Sequence, residues 1–307
     1  MNLRNIQKFA VCGTAVAALL SSPLLKAQHL TLEGQTGGFI TPTAYVVYSA
    51  KEQFFSYPAV GYHFVNSSKV IGNIHTFNIA EGFGNRAELG YTRSVHQEGH
   101  SPLFSELWHY AGMNIFSGKV VLIKDGQGSP LTPGVAVGFV VRTGDKFVSG
   151  AIDGKTYKNG DIYVAATKTW AHAPLPFLAN IGWKATNASI FGIGGQATRF
   201  EGRLFGGLGI PLPGPFGTAI VPAVGFTQEP PQSKNLGALL VGGRSHLPTT
   251  LDYAVRVTQK TNPHFAFDIG IGQVAGQVGT TFVRGLGFVP VNLQARKVFG
   301  MGLSLRY

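Results

Sequence analysis

The 307-residue sequence predicts an all-β fold, an antiparallel transmembrane β-barrel of about 12–14 strands. Three observations carry that expectation. Apolar residues recur at every second position in short runs along the chain. Glycine is abundant, 42 residues, while charged residues are only 13%, well below the ~25% of soluble domains. The last nine residues alternate strictly and end on an aromatic.

The chain opens with the three parts of a secretory leader. Arg4 and Lys8 supply the positive start, residues 9–20 (FAVCGTAVAALL) the apolar stretch, and Ser21-Ser22-Pro23 the break. The expected division is a signal peptide over residues 1–27, cleaved after Ala27, and one barrel domain over 28–307. A retained anchor is the alternative, but the apolar stretch is shorter than the ~20 residues a spanning helix needs. Export into a bacterial outer membrane follows from leader and barrel together.

Cys12, the only cysteine, lies inside the leader, so a processed chain has no thiol for disulfides, metal thiolates or nucleophilic catalysis. Of 25 basic residues, Arg4, Lys8 and Lys26 lie in the leader, which leaves 22 against 14 acidic. That surplus suits an anionic solute or a polysaccharide. Nucleic acid is excluded as a partner by export and by the scatter of the charges.

Alternation is plain in four stretches. Ala87, Leu89, Tyr91 and Val95 share one face, opposite Arg86, Glu88, Thr92 and Ser94. Phe177, Ala179, Ile181 and Trp183 oppose Asn180, Lys184 and Thr186. Leu251, Tyr253, Val255 and Val257 oppose Asp252, Arg256, Thr258 and Lys260. Phe265, Phe267, Ile269 and Ile271 oppose Ala266, Asp268 and two glycines. A soluble sandwich would bury the apolar face against a second sheet, whereas a barrel turns it to lipid. Alternation alone does not separate the two.

Residues 204–228 carry no charge over a length sufficient for a spanning helix. Pro211, Pro213, Pro215 and Pro222 rule that out, since one interior proline costs a helix ~3 kcal/mol. The segment reads as a strand, a tight proline-rich connection and a second strand. An apolar plug or constriction would account for its two apolar faces.

The chain end favours the barrel. Phe299, Met301, Leu303, Leu305 and Tyr307 point one way, and Gly300, Gly302, Ser304 and Arg306 the other. Such a strand reads as the C-terminal assembly signal recognised by the barrel-assembly machinery, with outer-membrane lipid as the second partner.

The block Gly37-Gly38-Phe39-Ile40-Thr41-Pro42-Thr43-Ala44 resembles the opening of YbjH-like outer-membrane proteins, and residues 161–170 (DIYVAATKTW) with 179–184 (ANIGWK) are similar to a strand pair in those families. The resemblance implies a barrel and an association with exopolysaccharide; it defines no functional residues. The opening block starts the first strand, tucks inward as a short plug, or forms a plain N-terminal turn.

No motif for chemistry stands. His96-Gln97-Glu98-Gly99-His100 lacks the zincin order, in which Glu follows the first His on a helix. The glycines at 192, 194, 195, 270 and 272 have no helix after them, as a dinucleotide loop requires. Ser245 and His246 are adjacent, and adjacent strand residues face opposite ways. The expectation is therefore no catalytic, metal or cofactor site. The functional candidates are the charges whose parity turns them into the lumen: Arg86, Glu88, Arg142, Lys184, Asp252, Arg256, Lys260, Asp268 and Arg306. On the lipid side each would cost ~2–4 kcal/mol near the midplane. The expected function is a non-enzymatic passive channel or an accessory to envelope or exopolysaccharide export. A barrel-rim hydrolase and a soluble periplasmic β-sandwich binding protein are the alternatives.

Overall fold

The computed structural model describes residues 29–50, 53–101, 112–144, 158–259 and 264–306. The leader, Lys260 and Tyr307 lie outside them.

The strands run β1 Ala59–Ser68, β2 Gly72–Phe83, β3 Ala87–Gln97, β4 Gly112–Ile123, β5 Gly134–Gly144, β6 Lys158–Trp170, β7 Phe177–Ala188, β8 Gln196–Gly209, β9 Leu212–Pro213, β10 Thr218–Thr227, β11 Thr250–Gln259, β12 Phe265–Gln273, β13 Ala275–Val283, β14 Gly287–Ala295 and β15 Val298–Arg306. Twelve of them close a barrel in which each strand is antiparallel to its neighbours. The two-residue β9 extends the connection from β8 to β10, and β13 and β14 form a separate hairpin inserted between β12 and β15. The C-terminal strand closes the sheet by pairing with both β1 and β12. The expected range of strand number thus resolves to its lower bound.

The outer face is what alternation requires. Leu89, Phe116, Ile162, Ile181, Leu204, Tyr253, Ile271, Leu303 and Leu305 are all exposed, Ile162 to 66%. Their in-sequence neighbours Glu88, Ser117, Asp161, Asn180, Asp252 and Ser304 are buried in the interior. No second protein layer covers the apolar belt among the described residues. It is the surface of an outer-membrane barrel, with the polar interior such barrels carry.

Residues 204–228 form β8, the proline connection and β10, as expected. Their inward residues are small or apolar: Gly207, Gly209, Val221, Ala223 and Gly225, with Phe205 packed edge-on against Tyr163.

The C-terminal end of β15, and the 84–86 and 171–176 connections, lie at one end of the barrel, the terminal end. The longer connections 228–249 and 274–297 lie at the other, the loop end. There α1 (Lys234–Gly237), capped by the Ser233 hydroxyl, packs against β8 and the turn at Val241–Gly243, which in turn meets β13. Leu236, Leu240, Leu247, Val278, Val291 and Leu293 join Val65, Ile71, Ile74, Ile190 and Ile193 in one buried apolar cluster. The loop end is capped.

Candidate functional site

Residues 29–49 do not add a strand. They fold back on themselves inside the barrel, pinned by isolated bridges Leu30 to Thr36 and Gly37 to Pro42. The local sequence dictates this shape. The Thr31 hydroxyl accepts from the backbone N–H groups of Glu33 and Gln35, and Gly34 takes a positive φ, so the chain reverses at 31–35. Of the three readings open to the Gly37–Ala44 block, the inward plug is the one adopted.

Two ion-pair centres hold the plug against one wall. In the first, Arg142 on β5 donates through Nε to Glu33 Oε1 at 2.5 Å, and through Nη2 to Glu33 Oε2 at 2.8 Å and to Asp161 Oδ2 at 2.7 Å. Arg142 is fully buried, so its charge depends on these two carboxylates. In the second, Glu88 on β3 accepts from the Thr36 N–H at 2.9 Å, the Thr36 hydroxyl and the Val47 N–H at 2.8 Å. Lys119 on β4 lies 3.5 Å from Glu88 and donates to the carbonyls of Thr36 and Thr43 at 2.8 and 3.1 Å. Gly82 on β2 is a glycine because a Cβ there would run into the Val47 carbonyl.

A third centre ties the first described residue. His29 Nε2 lies 2.6 Å from Asp268 Oδ2, and Arg256 grips Asp268 with two hydrogen bonds of 2.9 and 3.1 Å. The Ser304 hydroxyl sits 3.1 Å from His29 Nδ1. Burial pushes the His29 imidazole below its ordinary pKa, against the pull of Asp268. A neutral ring fits its neighbours: Nε2–H donates to Asp268 and Nδ1 accepts from Ser304.

Further along, the Ala44 N–H donates to Thr167, Asn180 donates to the Pro42 carbonyl, and the Tyr45 hydroxyl meets Asp125 at 2.7 Å. Burial raises the Tyr45 phenol well above its usual pKa, so it stays protonated. At the loop end Lys184 lies 3.6 Å from Glu229, whose carboxyl is pushed up to about 7 by burial, with Lys184 acting the other way.

Glu88, Arg142, Lys184, Asp252, Arg256 and Asp268 therefore all stand on interior positions, and all but Asp252 belong to these centres. Arg306, half-buried near the terminal end, holds its guanidinium 5.2 Å from the Tyr48 ring. Arg86 departs from expectation. It sits exposed in the β2–β3 turn and donates to the carbonyls of Val121 and Leu122, because the strand starts one residue later and parity does not govern a turn. Lys260 lies outside the described residues, as does Tyr307. Phe299, Leu303 and Leu305 face outward, and Met301 shares their face.

Glu33, Lys119, Asp161, His29 and His63 were not singled out from sequence. Lys119 and Asp161 had a legible cue, since each falls between apolar residues at strand spacing. Glu33 had none, being placed by a turn. His63 donates through Nδ1 to Asn78 at 2.9 Å. His96 points inward to Ser94, and no cluster of three metal-ligating side chains occurs among the described residues. Ser245 is not on a strand; its hydroxyl accepts from the Ser233 N–H and donates to the Pro231 carbonyl.

Among solved structures, the chain is similar to the KdgM porin, at 9% identity with a TM-score of 0.45, over 81% of this chain and 99% of that one. The NanC porin matches at 9% identity and 0.45, over 81% and 100%. An anion-selective porin from Comamonas acidovorans matches at 9% and 0.31, over 82% and 98%. No curated protein matches the sequence. A family model described as "Protein of unknown function (DUF3034)" matches residues 27–203, which hold the plug and its ion-pair wall. The chain belongs to the DUF3034 family.

Proposed function

We propose that the protein is a non-enzymatic outer-membrane channel, exported by a cleaved leader and folded by the barrel-assembly machinery, whose lumen residues 29–49 close at rest. The observation that carries this reading is how the obstruction is held. The plug is not part of the sheet; it is fastened by side-chain contacts, the buried ion pairs Glu33–Arg142 and Glu88–Lys119 foremost. The short turns at the terminal end make it the periplasmic side, as in other outer-membrane barrels. Lys124 and His172 at that mouth suit an anionic solute or polysaccharide, whereas Lys168 is already paired with Asp125 at 2.6 Å.

A second reading is supported by the double closure, plug below and cap above. A barrel shut at both ends fits an accessory to envelope or exopolysaccharide export, the role the YbjH-like resemblance implies. Planar bilayers separate the two. The intact protein is expected to be nearly silent. With the cap hairpin 275–295 also removed, the Glu33→Gln/Glu88→Gln variant is expected to show intermittent steps, and a chain lacking residues 29–49 steady conductance. Silence in variants that still show the heat-dependent gel mobility of a folded barrel would overturn the channel and favour the accessory.

A further inference from the structure

The deep cations Lys119, Arg142, Lys184 and Arg256 each face a carboxylate. Three exposed cations at the loop end do not. Lys69 stands in the β1–β2 turn, and Arg296 and Lys297 stand just ahead of β15; none has an ion pair among the described residues. Strand register brings the three together. β15 pairs with β1, Phe299 opposite Asn66, and beyond those residues the two chains carry Lys297 and Arg296 up beside Lys69. The N–H groups of His100 and Ser101 donate to the Lys69 carbonyl at 2.8 and 2.9 Å, which adds the exposed His100 to the group. Glu98 is the one carboxylate on these connections among the described residues. The corner is positive.

Below the cations the outer face is layered. Asn66, Asn73 and Gln97 stand opposite one another across β1, β2 and β3, and their carboxamides join in a row at 3.0 and 3.5 Å. They point outward, as Phe299 does. One step lower, Phe64 lies opposite Met301, and Phe77, Val95 and Phe299 are exposed on the apolar belt. At ~3.3 Å per residue, the strand passes from Phe64 through Asn66 to Lys69 in about 16 Å. Apolar, carboxamide and cationic layers thus follow in the order in which a phosphorylated glycolipid carries acyl chains, sugar hydroxyls and amides, and phosphates. Basic groups beside an anionic headgroup strengthen binding by about five-fold each.

We propose that this corner docks one phosphorylated glycolipid of the outer leaflet, of the lipid A kind. Its phosphates lie on Lys69, Arg296 and Lys297, its sugars on the carboxamide row, and its acyl chains over Phe77 and Phe299. The site rests on the orientation given above, loop end outward, and not on whether the plug opens.

The test is native mass spectrometry of the full processed chain in detergent micelles, titrated with bisphosphorylated lipid A and with the same lipid freed of both phosphates. One bisphosphorylated lipid is expected per barrel, bound ten-fold or more tighter than the phosphate-free form. Lys69→Gln/Arg296→Gln/Lys297→Gln should remove that preference. Lys234→Gln/Arg244→Gln/Arg284→Gln, which takes the same charge from exposed positions on the cap, should change it less than three-fold. Heat-dependent gel mobility confirms each fold. Inorganic phosphate at matched concentration should not displace the lipid; displacement would mean a site for a free anion and would overturn the docking. Equal affinity for the two lipids, a preference kept in the first variant, or an equal loss in the second would overturn it as well. Binding in micelles is blind to orientation, so a barrel inserted the other way would leave these affinities intact.

Discussion

The two walls of the lumen differ in kind. On β3, β4, β5 and β6 the interior carries Glu88, Lys119, Arg142 and Asp161, every one engaged with the plug or with a neighbour that is. On β8 and β10 the interior carries Gly207, Val221, Ala223 and Gly225, with Ala254 of β11 beside them, and there the plug leaves a hollow, while Arg256 of β11 belongs to the third centre. One strand geometry thus yields a fastened wall and a bare one, according to what the inward positions hold. A fixed segment against a smooth opposite wall leaves a hollow beside it, without any strand having to move.

Substitutions should separate the walls by size of effect. Arg142→Leu strands the carboxylates of Glu33 and Asp161 in the interior. It is expected to lower stability by about 3–5 kcal/mol in urea unfolding. An unchanged midpoint would break the contrast at its strongest point. Next comes Glu229, which stands where the bare wall meets the cap. Its carboxyl ordinarily titrates near 4.5 and here near 7, so the folded state holds the proton more tightly than the unfolded one. Stability from this group is complete below about pH 4.5 and declines as pH rises through 7, by roughly 3 kcal/mol in all. His29 runs the other way, losing stability as pH falls below its ordinary range. The difference between wild type and Glu229→Gln in urea midpoints from pH 5 to 8 isolates Glu229. A parallel pair of curves would contradict the assignment.

Glu88→Gln comes next. It keeps an acceptor for Thr36 and Val47 but leaves Lys119 without its anion, and is expected to cost about 1–3 kcal/mol. Ala223→Val, on the bare wall, adds methyl groups to a hollow and is expected to change stability by no more than about 0.5 kcal/mol. A loss comparable to Glu88→Gln would show that the second wall is packed after all.

Much of this was legible in the sequence because a strand has a period of two. Leu89 outward beside Glu88 inward, and Tyr253 outward beside Asp252 inward, follow from alternation and the cost of charge in lipid. The closing strand was equally legible, since Phe299, Leu303 and Leu305 share one face. What alternation cannot give is the content of the lumen. Glu33 reaches Arg142, 109 positions later in the chain, only because Thr31 and Gly34 turn the segment back, and no periodicity encodes that meeting. Arg86 shows the limit from the other side: parity extended one residue beyond a strand places a rim residue in the lumen. The cap was hidden for the same reason, as Leu236, Val278 and Leu293 come from separate connections that meet only in the folded chain.

The central claim is the position of residues 29–49, and one cross-link tests it directly. A Cβ built on Gly134 of β5 would lie 3.5 Å from the Ala44 Cβ, within the reach of a disulfide. In a Cys12→Ser background, the Ala44→Cys/Gly134→Cys protein isolated folded from membranes should oxidise to a single intramolecular bridge, with no free thiol on titration. Two free thiols in the folded barrel under the same oxidising conditions would mean the segment does not lie in the lumen.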